Sequence, residues 1–312
     1  MSQTSDQLVV WPKADATRDV PLPPAPPPLP SPLPSFETQR SKFFKMVADR
    51  SPSDVGDCQD VKKLLKNRQD SFNRELQWLL FYKHVPSLIQ EGPQCGLVAL
   101  WMAGPLLQFK ASISIEEIVQ VALEGGYTAQ GEMFSAAHMA CLAEKVFCCR
   151  AELLEGMDGN NQWKFLHHLT AGHPALVPYD EDYNHQPCLR SGHRAHWAII
   201  TGVLFGLKGR SMSNVYKEDP DITGLFHPHA DSPPPCIPEI AEVYLLAKQG
   251  KSLRYQLWEY GAVSASNKQL VSFDPKRSAD GKMYVLPEGG VKAGLCEKLV
   301  LLYPRTTTDP HF

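Results

Sequence analysis

One cysteine stands where a polar turn runs into an apolar segment, Gln90-Glu91-Gly92-Pro93-Gln94-Cys95-Gly96-Leu97-Val98-Ala99-Leu100-Trp101. Pro93 cannot continue an earlier helix, and Leu97, Leu100 and Trp101 share one face at i, i+3, i+4 spacing. The pattern predicts a helix whose first turn carries Cys95. Unpaired backbone N–H groups and the positive end of the helix dipole favour a thiolate there. Such a thiolate can attack a carbonyl carbon if a base takes the thiol proton and two donors receive the developing oxyanion. The Cys95 backbone N–H is one donor, and the Gln90 side-chain amide is the expected second. Gln94, which adjoins the nucleophile, is the alternative and reads better as a turn residue. An inert core cysteine is the commoner state of a lone buried thiol. The glycine-bearing turn, Gln90 and a distant histidine outweigh that reading.

The histidine is His196, in Ser191-Gly192-His193-Arg194-Ala195-His196-Trp197-Ala198-Ile199-Ile200-Thr201-Gly202. Glycine and polar residues lead into it and a β-rich apolar run follows, so His196 is expected at the start of a strand. Papain-like folds place their catalytic histidine in that position, beside the cysteine in space and far from it in sequence. Three other histidine groups (167, 168 and 173; 185 and 193; 227 and 229) are expected on the surface or in the core. In the smallest consistent mechanism Cys95 is the nucleophile and His196 the base and later the acid, with a thiolate–imidazolium pair formed before substrate arrives. A third group should orient the imidazole through its other nitrogen. Glu259, ending Leu257-Trp258-Glu259, is placed there, with Asn267 as the alternative.

Stepping outward from these residues, helical periodicity runs from about 57 to 81, and Ser114-Ile115-Glu116-Glu117 has the form of a capping box. Further helices are expected over about 134–145 and 163–169, and strands over 146–154, 174–179, 282–286 and 298–303. Residues 243–247 and 253–259 read as a hairpin. The polar, proline-rich stretch at about 207–238 reads as an inserted mobile loop. Helices first and strands later give an α+β class, with the nucleophile at a helix N-terminus packed on an antiparallel sheet.

Composition bounds the rest. The chain has 312 residues with a formal net charge of -3, which argues against general nucleic-acid binding. No apolar run approaches the roughly 18 residues of a membrane span, and no signal-like apolar region opens the chain. The eight cysteines lack metal-ligand spacing, so reduced thiols, no metal and no cofactor are expected, in a cytoplasmic setting. Residues 21–34 form a proline tract that reads as polyproline II, within a disordered head over 1–56. A catalytic domain is expected over 57–312. The Pro26-Pro27-Pro28-Leu29-Pro30 core suits the aromatic grooves of SH3, WW, EVH1 and profilin-type modules.

The cysteine motif, the His196-Trp197-Ala198-Ile199-Ile200-Thr201-Gly202 strand, the late Leu257-Trp258…Ser266-Asn267-Lys268-Gln269-Leu270 segment and the proline-rich head together resemble the actin maturation protease family, related to the bacteriocin-leader cysteine peptidases. The resemblance implies a cytosolic aminopeptidase that removes acetyl-Met or acetyl-Cys from the N-terminus of immature actin. It places the nucleophile at Cys95, the base at His196 and the oxyanion glutamine at Gln90, five positions before the cysteine where papain has six. Actin is the implied substrate, and profilin is the expected partner of the proline tract. Two other readings remain: a catalytically inactive adaptor docking through its proline tract, and a cysteine hydrolase of another substrate such as a ubiquitin-like protein.

Overall fold

The computed structural model describes residues 54–107, 113–209, 212, 215–229, 232, 235 and 239–305. The proline tract lies outside these residues. In chain order the elements begin α1 (Asp54–Arg68), β1 (Gln77–Tyr82), α2 (Cys95–Ala103), α3 (Ile115–Glu124), α4 (Ala136–Phe147) and β2 (Arg150–Glu155). They continue α5 (Asn160–Thr170), β3 (Ala175–Glu181), β4 (Pro187–Cys188), β5 (Ala195–Leu207), β6 (Tyr216–Glu218), β7 (Leu225–Pro228), β8 (Ile240–Gln249) and β9 (Gln256–Glu259). The last are α6 (Tyr260–Lys268), α7 (Pro275–Ser278), α8 (Gly290–Leu295) and β10 (Lys298–Tyr303).

β5 organises the fold. From His196 to Leu207 every residue is buried, because the sheet is covered on both faces and its central strand must be apolar on both. On one face Ile199 and Leu204 pack with Leu97 and Leu100 of α2 and Met139 of α4. On the other, Ile200 and Val203 pack with Phe165 and Leu169 of α5. The strands run β2-β10-β3-β5-β1-β7-β6, with β8 also paired to β5 and carrying β9. Among the described ladders β1–β7 is parallel and the others are antiparallel. β5 pairs with β3 through Ile200 and with β1 from Gly202 onward. A Cβ on Gly202 would lie 2.4 Å from the Phe81 carbonyl oxygen, so only glycine lets the β1 backbone come this close. The class is α+β, and the Cys95 helix packs on the His196 strand as expected of a papain-like chain.

Three sequence expectations are corrected. The predicted helix over 57–81 ends at Arg68, and Gln77–Tyr82 is a sheet strand. Buried on both faces, its Trp-Leu-Leu-Phe run has no alternation to distinguish it from helix. The stretch at 207–238 contains β6 and β7, with Tyr216, Leu225 and Phe226 buried, so in its described part it extends the sheet. No strand forms at 282–286. The capping box is present, with Ser114 Oγ accepting from Glu117 N–H and Glu117 from Ser114 N–H, and β10 spans 298–303 as predicted. Among the described residues no helix is long and apolar enough to cross a membrane.

Candidate active site

α2 begins at Cys95, and Gln94 before it makes no side-chain cap, so the first-turn N–H groups are left for another acceptor. Gly96 sets how near the helix comes to β5. A Cβ there would sit 3.1 Å from the Trp197 ring and 2.7 Å from Met139 Cε. Trp197 is fixed in turn by its indole N–H, which donates to the Met133 carbonyl at 2.8 Å. Cys95 is thereby held 9% exposed on the sheet.

His196 lies opposite Tyr179 of β3, one residue inside β5. The loop that delivers it is held by the buried Asp180 carboxylate, which accepts N–H groups from Arg190 (2.9 Å), Gly192 (2.7 Å) and Arg194 (2.9 Å). The imidazole Nε2 lies 3.2 Å from Gln249 Oε1 at the end of β8. That same oxygen accepts the Lys251 backbone N–H at 2.6 Å. A backbone amide can only donate, so the amide oxygen faces both groups and Nε2 must carry the ring proton. Nδ1 is then the basic nitrogen.

Cys95, His196, Gln90 and Trp197 line one cleft of about 360 Å³, together with Glu181, Arg194, Lys251 and Arg277. Gln90 is fastened by its backbone N–H, which donates to the Gly250 carbonyl at 2.7 Å. Its side-chain Nε2 donates to the Gly92 carbonyl at 2.7 Å. The turn at 249–251 therefore braces Gln90 and His196 together. Burial raises the Cys95 thiol, against a hydrogen bond from the Trp197 backbone and the positive charges of Lys251 and Arg277. Burial also lowers the His196 imidazole to about 4, against the Glu181 carboxylate, which favours its charged form. Burial thus works against the charged form of each group, and the charges of Lys251, Arg277 and Glu181 work for it. Burial alone would raise the Glu181 carboxyl. His196, Lys251 and His185 outweigh it and hold the group below its ordinary value.

Gln94 is not part of the cleft lining; its side chain packs on Gly131. Glu259 is not brought to His196. It is an exposed residue at the start of α6 and lines a separate cavity with Phe72 and Tyr244. Asn267 is buried elsewhere, its Nδ2 donating to the carbonyls of Pro178 (2.9 Å) and Lys298 (3.0 Å). Gln249 was missed because it reads as one residue of a hairpin turn. Its only sequence signal is its place at a strand end; the register Ala198↔Gln249 brings it to the histidine. Among the described residues no group of three or more His, Cys, Asp or Glu is arranged to hold a metal ion.

A family model described as "Actin maturation protease-like, C-terminal domain" matches residues 85–204. Curated proteins named actin maturation protease are similar over most of the chain. The one from Xenopus tropicalis is 60% identical over 267 residues, covering 85% of this chain and 87% of that protein. The Homo sapiens protein is 51% identical over 276 residues, covering 86% and 78%. The Drosophila melanogaster protein is 31% identical over 223 residues, covering 71% and 70%. Among solved structures, a putative C39-like peptidase from Bacillus anthracis matches at TM-score 0.40 and 9% identity, over 73% of this chain and 99% of that one. That likeness is too slight to bear on function.

Proposed function

The chain belongs to the actin maturation protease family, and from that premise we propose that it is a cysteine aminopeptidase removing acetyl-Met or acetyl-Cys from the N-terminus of immature actin. The observation that carries this reading is the cleft shared by Cys95, at a helix N-terminus, and His196, its Nε2–H engaged by Gln249.

In the first half-reaction His196 Nδ1 takes the Cys95 thiol proton as Sγ attacks the carbonyl carbon of the acetylated residue. The oxyanion is received by the Cys95 backbone N–H and by Gln90 Nε2, which must leave the Gly92 carbonyl to do so. Collapse breaks the C–N bond, and the imidazolium gives its proton to the departing amine, the new N-terminus of actin. Water then attacks the thioester with His196 again as base. The N-acetylated amino acid leaves and the thiol is restored. Gln249 is the positioning residue, in the role first expected of Glu259 or Asn267: it keeps the proton on Nε2 and so leaves Nδ1 basic. The positive charges of Lys251 and Arg277 favour the ionised thiol, against its burial.

The test is release of the acetylated residue from a short actin N-terminal peptide, followed by mass spectrometry. Cys95→Ala should abolish release while the thermal transition stays near wild type; cleavage at the wild-type rate would remove Cys95 from the mechanism. The proline tract is proposed to bind profilin, and a cytoplasmic setting suits both partners. Deleting residues 1–34 should weaken processing of profilin-bound actin but spare the short peptide, as an effective-concentration device would. Equal processing of profilin–actin by both forms would leave the tract without that role.

A further inference from the structure

The segment that carries Gln90 has no ladder of its own. Residues 83–91 lie in neither helix nor strand, so their backbone groups must find partners on other elements. Several are supplied by the end of β8 and its connection to β9. Val85 N–H donates to the Tyr255 hydroxyl at 3.0 Å, and the Val85 carbonyl accepts from Lys248 Nζ at 2.7 Å. Lys248 Nζ also donates to Ser87 Oγ at 2.7 Å, and that hydroxyl donates onward to the Leu253 carbonyl at 2.8 Å. The bond from Gln90 N–H to the Gly250 carbonyl completes the series. Lys248 is the unexpected member. It is 1% exposed and follows Leu245, Leu246 and Ala247, which are sealed from solvent. Burying an amine where an aliphatic side chain would pack costs stability, which points to a use for it. Lys248 pairs with Ile199 of β5, and the next residue is Gln249, which faces the imidazole. Its backbone thus belongs to the sheet that presents His196, while its side chain holds the segment that presents Gln90.

We propose that Lys248 is a positioning residue for the oxyanion site: it ties Val85 and Ser87 to β8 and so sets where Gln90 places its amide against Cys95. This rests on the reading of Gln90 as the oxyanion donor. Gln90 Nε2 must leave the Gly92 carbonyl to meet the oxyanion, so its side chain turns while its backbone has to stay in place. A donor carried on irregular chain keeps its position only if side chains from rigid elements hold that chain. Lys248 supplies two such bonds from one buried atom, and its Nζ lies 4.1 Å from the centroid of the Tyr255 ring.

The test is a double-mutant cycle in kcat on the acetylated actin peptide. The thermal transition and iodoacetamide labelling of Cys95 are followed in parallel. Lys248→Met keeps the length of the side chain and removes the donor. It should lower kcat about 10- to 100-fold with KM within about twofold, as a misplaced catalytic group does. In a Gln90→Ala background the same substitution should change kcat by less than about twofold, because the group it positions is gone. Ser87→Ala removes one link alone and should lower kcat about 3- to 10-fold. It carries the cycle if Lys248→Met does not fold. An equal loss in both backgrounds would overturn the proposal. Cys95 labelling that slows in step with the activity loss would also overturn it, since Lys248 would then act through the thiol or the imidazole. So would a lowered thermal transition with kcat unchanged, which would leave Lys248 a structural residue. Gln90→Ala at the wild-type kcat would overturn the oxyanion assignment and this inference with it. Wild-type enzyme that leaves the peptide uncleaved would overturn the aminopeptidase reading and both of these.

Discussion

His196 and His168 are both almost sealed from solvent, and burial lowers both to about 4. Their surroundings differ. His168, on α5, has Nε2 2.9 Å from the Pro174 carbonyl, while its Nδ1 is buried with no hydrogen-bond partner among the described residues. The rings of His173 and Tyr303 enclose it, 5.3 and 4.6 Å away between centroids. His196 is lowered by burial likewise but opens on a cleft that also holds a thiol. A lowered proton affinity therefore reports desolvation in both places. The two rings differ in surroundings: His196 lines a cleft that also holds the Cys95 thiol, whereas His168 is enclosed by rings and a carbonyl.

Replacing each ring breaks the comparison most sharply. His196→Ala should cut kcat/KM on the acetylated peptide by about 10²–10⁴-fold, the range for a lost general base. His168→Ala should leave kcat within about twofold and instead lower stability by roughly 2–3 kcal/mol, the cost of a cavity and an unpaired carbonyl. Equal activity losses in the two variants, measured on folded protein, would collapse the distinction. A smaller effect is expected at the positioning residue. Gln249→Ala should lower kcat by about 10- to 100-fold, because the imidazole then loses its fixed tautomer; Glu259→Ala should stay within about twofold. The reverse order would return the orienting role to Glu259.

The smallest effects concern pH, where the two histidines should act alike on stability and differently on catalysis. Each binds its proton near pH 6.5 when unfolded but only near 4 when folded. The unfolded state therefore holds more protons between those values. Their contribution to stability is complete above pH 6.5 and is lost as pH falls toward 4. His168→Gln should flatten that slope in equilibrium unfolding without moving the acid limb of kcat/KM. That limb belongs to His196 and should lie well below 6.5. A limb at 6.5 would mean that the catalytic ring is solvated in the working enzyme.

Local chemistry was legible where the chain signals its own structure. Ser114 and Glu117 cap α3 reciprocally, β10 is a run of apolar residues with a defined start and stop, and Gly92-Pro93 marks the turn before α2. The strand of His196 was equally plain from its β-branched and aromatic run. Legibility failed at Gln77–Tyr82, whose burial on both faces erases the period that separates strand from helix. It failed again at 216–228, where proline and acidic residues suggested a loop. There Asp219, held by His227 and Lys62, anchors a β6–β7 edge instead.

The sequence by itself determined that a thiol begins an apolar helix, that a histidine begins an apolar strand, and that glutamine precedes the thiol by five residues. Each is a local pattern written in neighbouring side chains. Only the tertiary structure decided that Gln249 rather than Glu259 faces the imidazole, because that follows from the pairing of β5 with β8 and from an amide oxygen shared with Lys251. It also decided how deeply the thiol and the imidazole are buried, which raises the one and lowers the other. Desolvation depends on how completely other elements cover a group, and no run of adjacent residues encodes that cover.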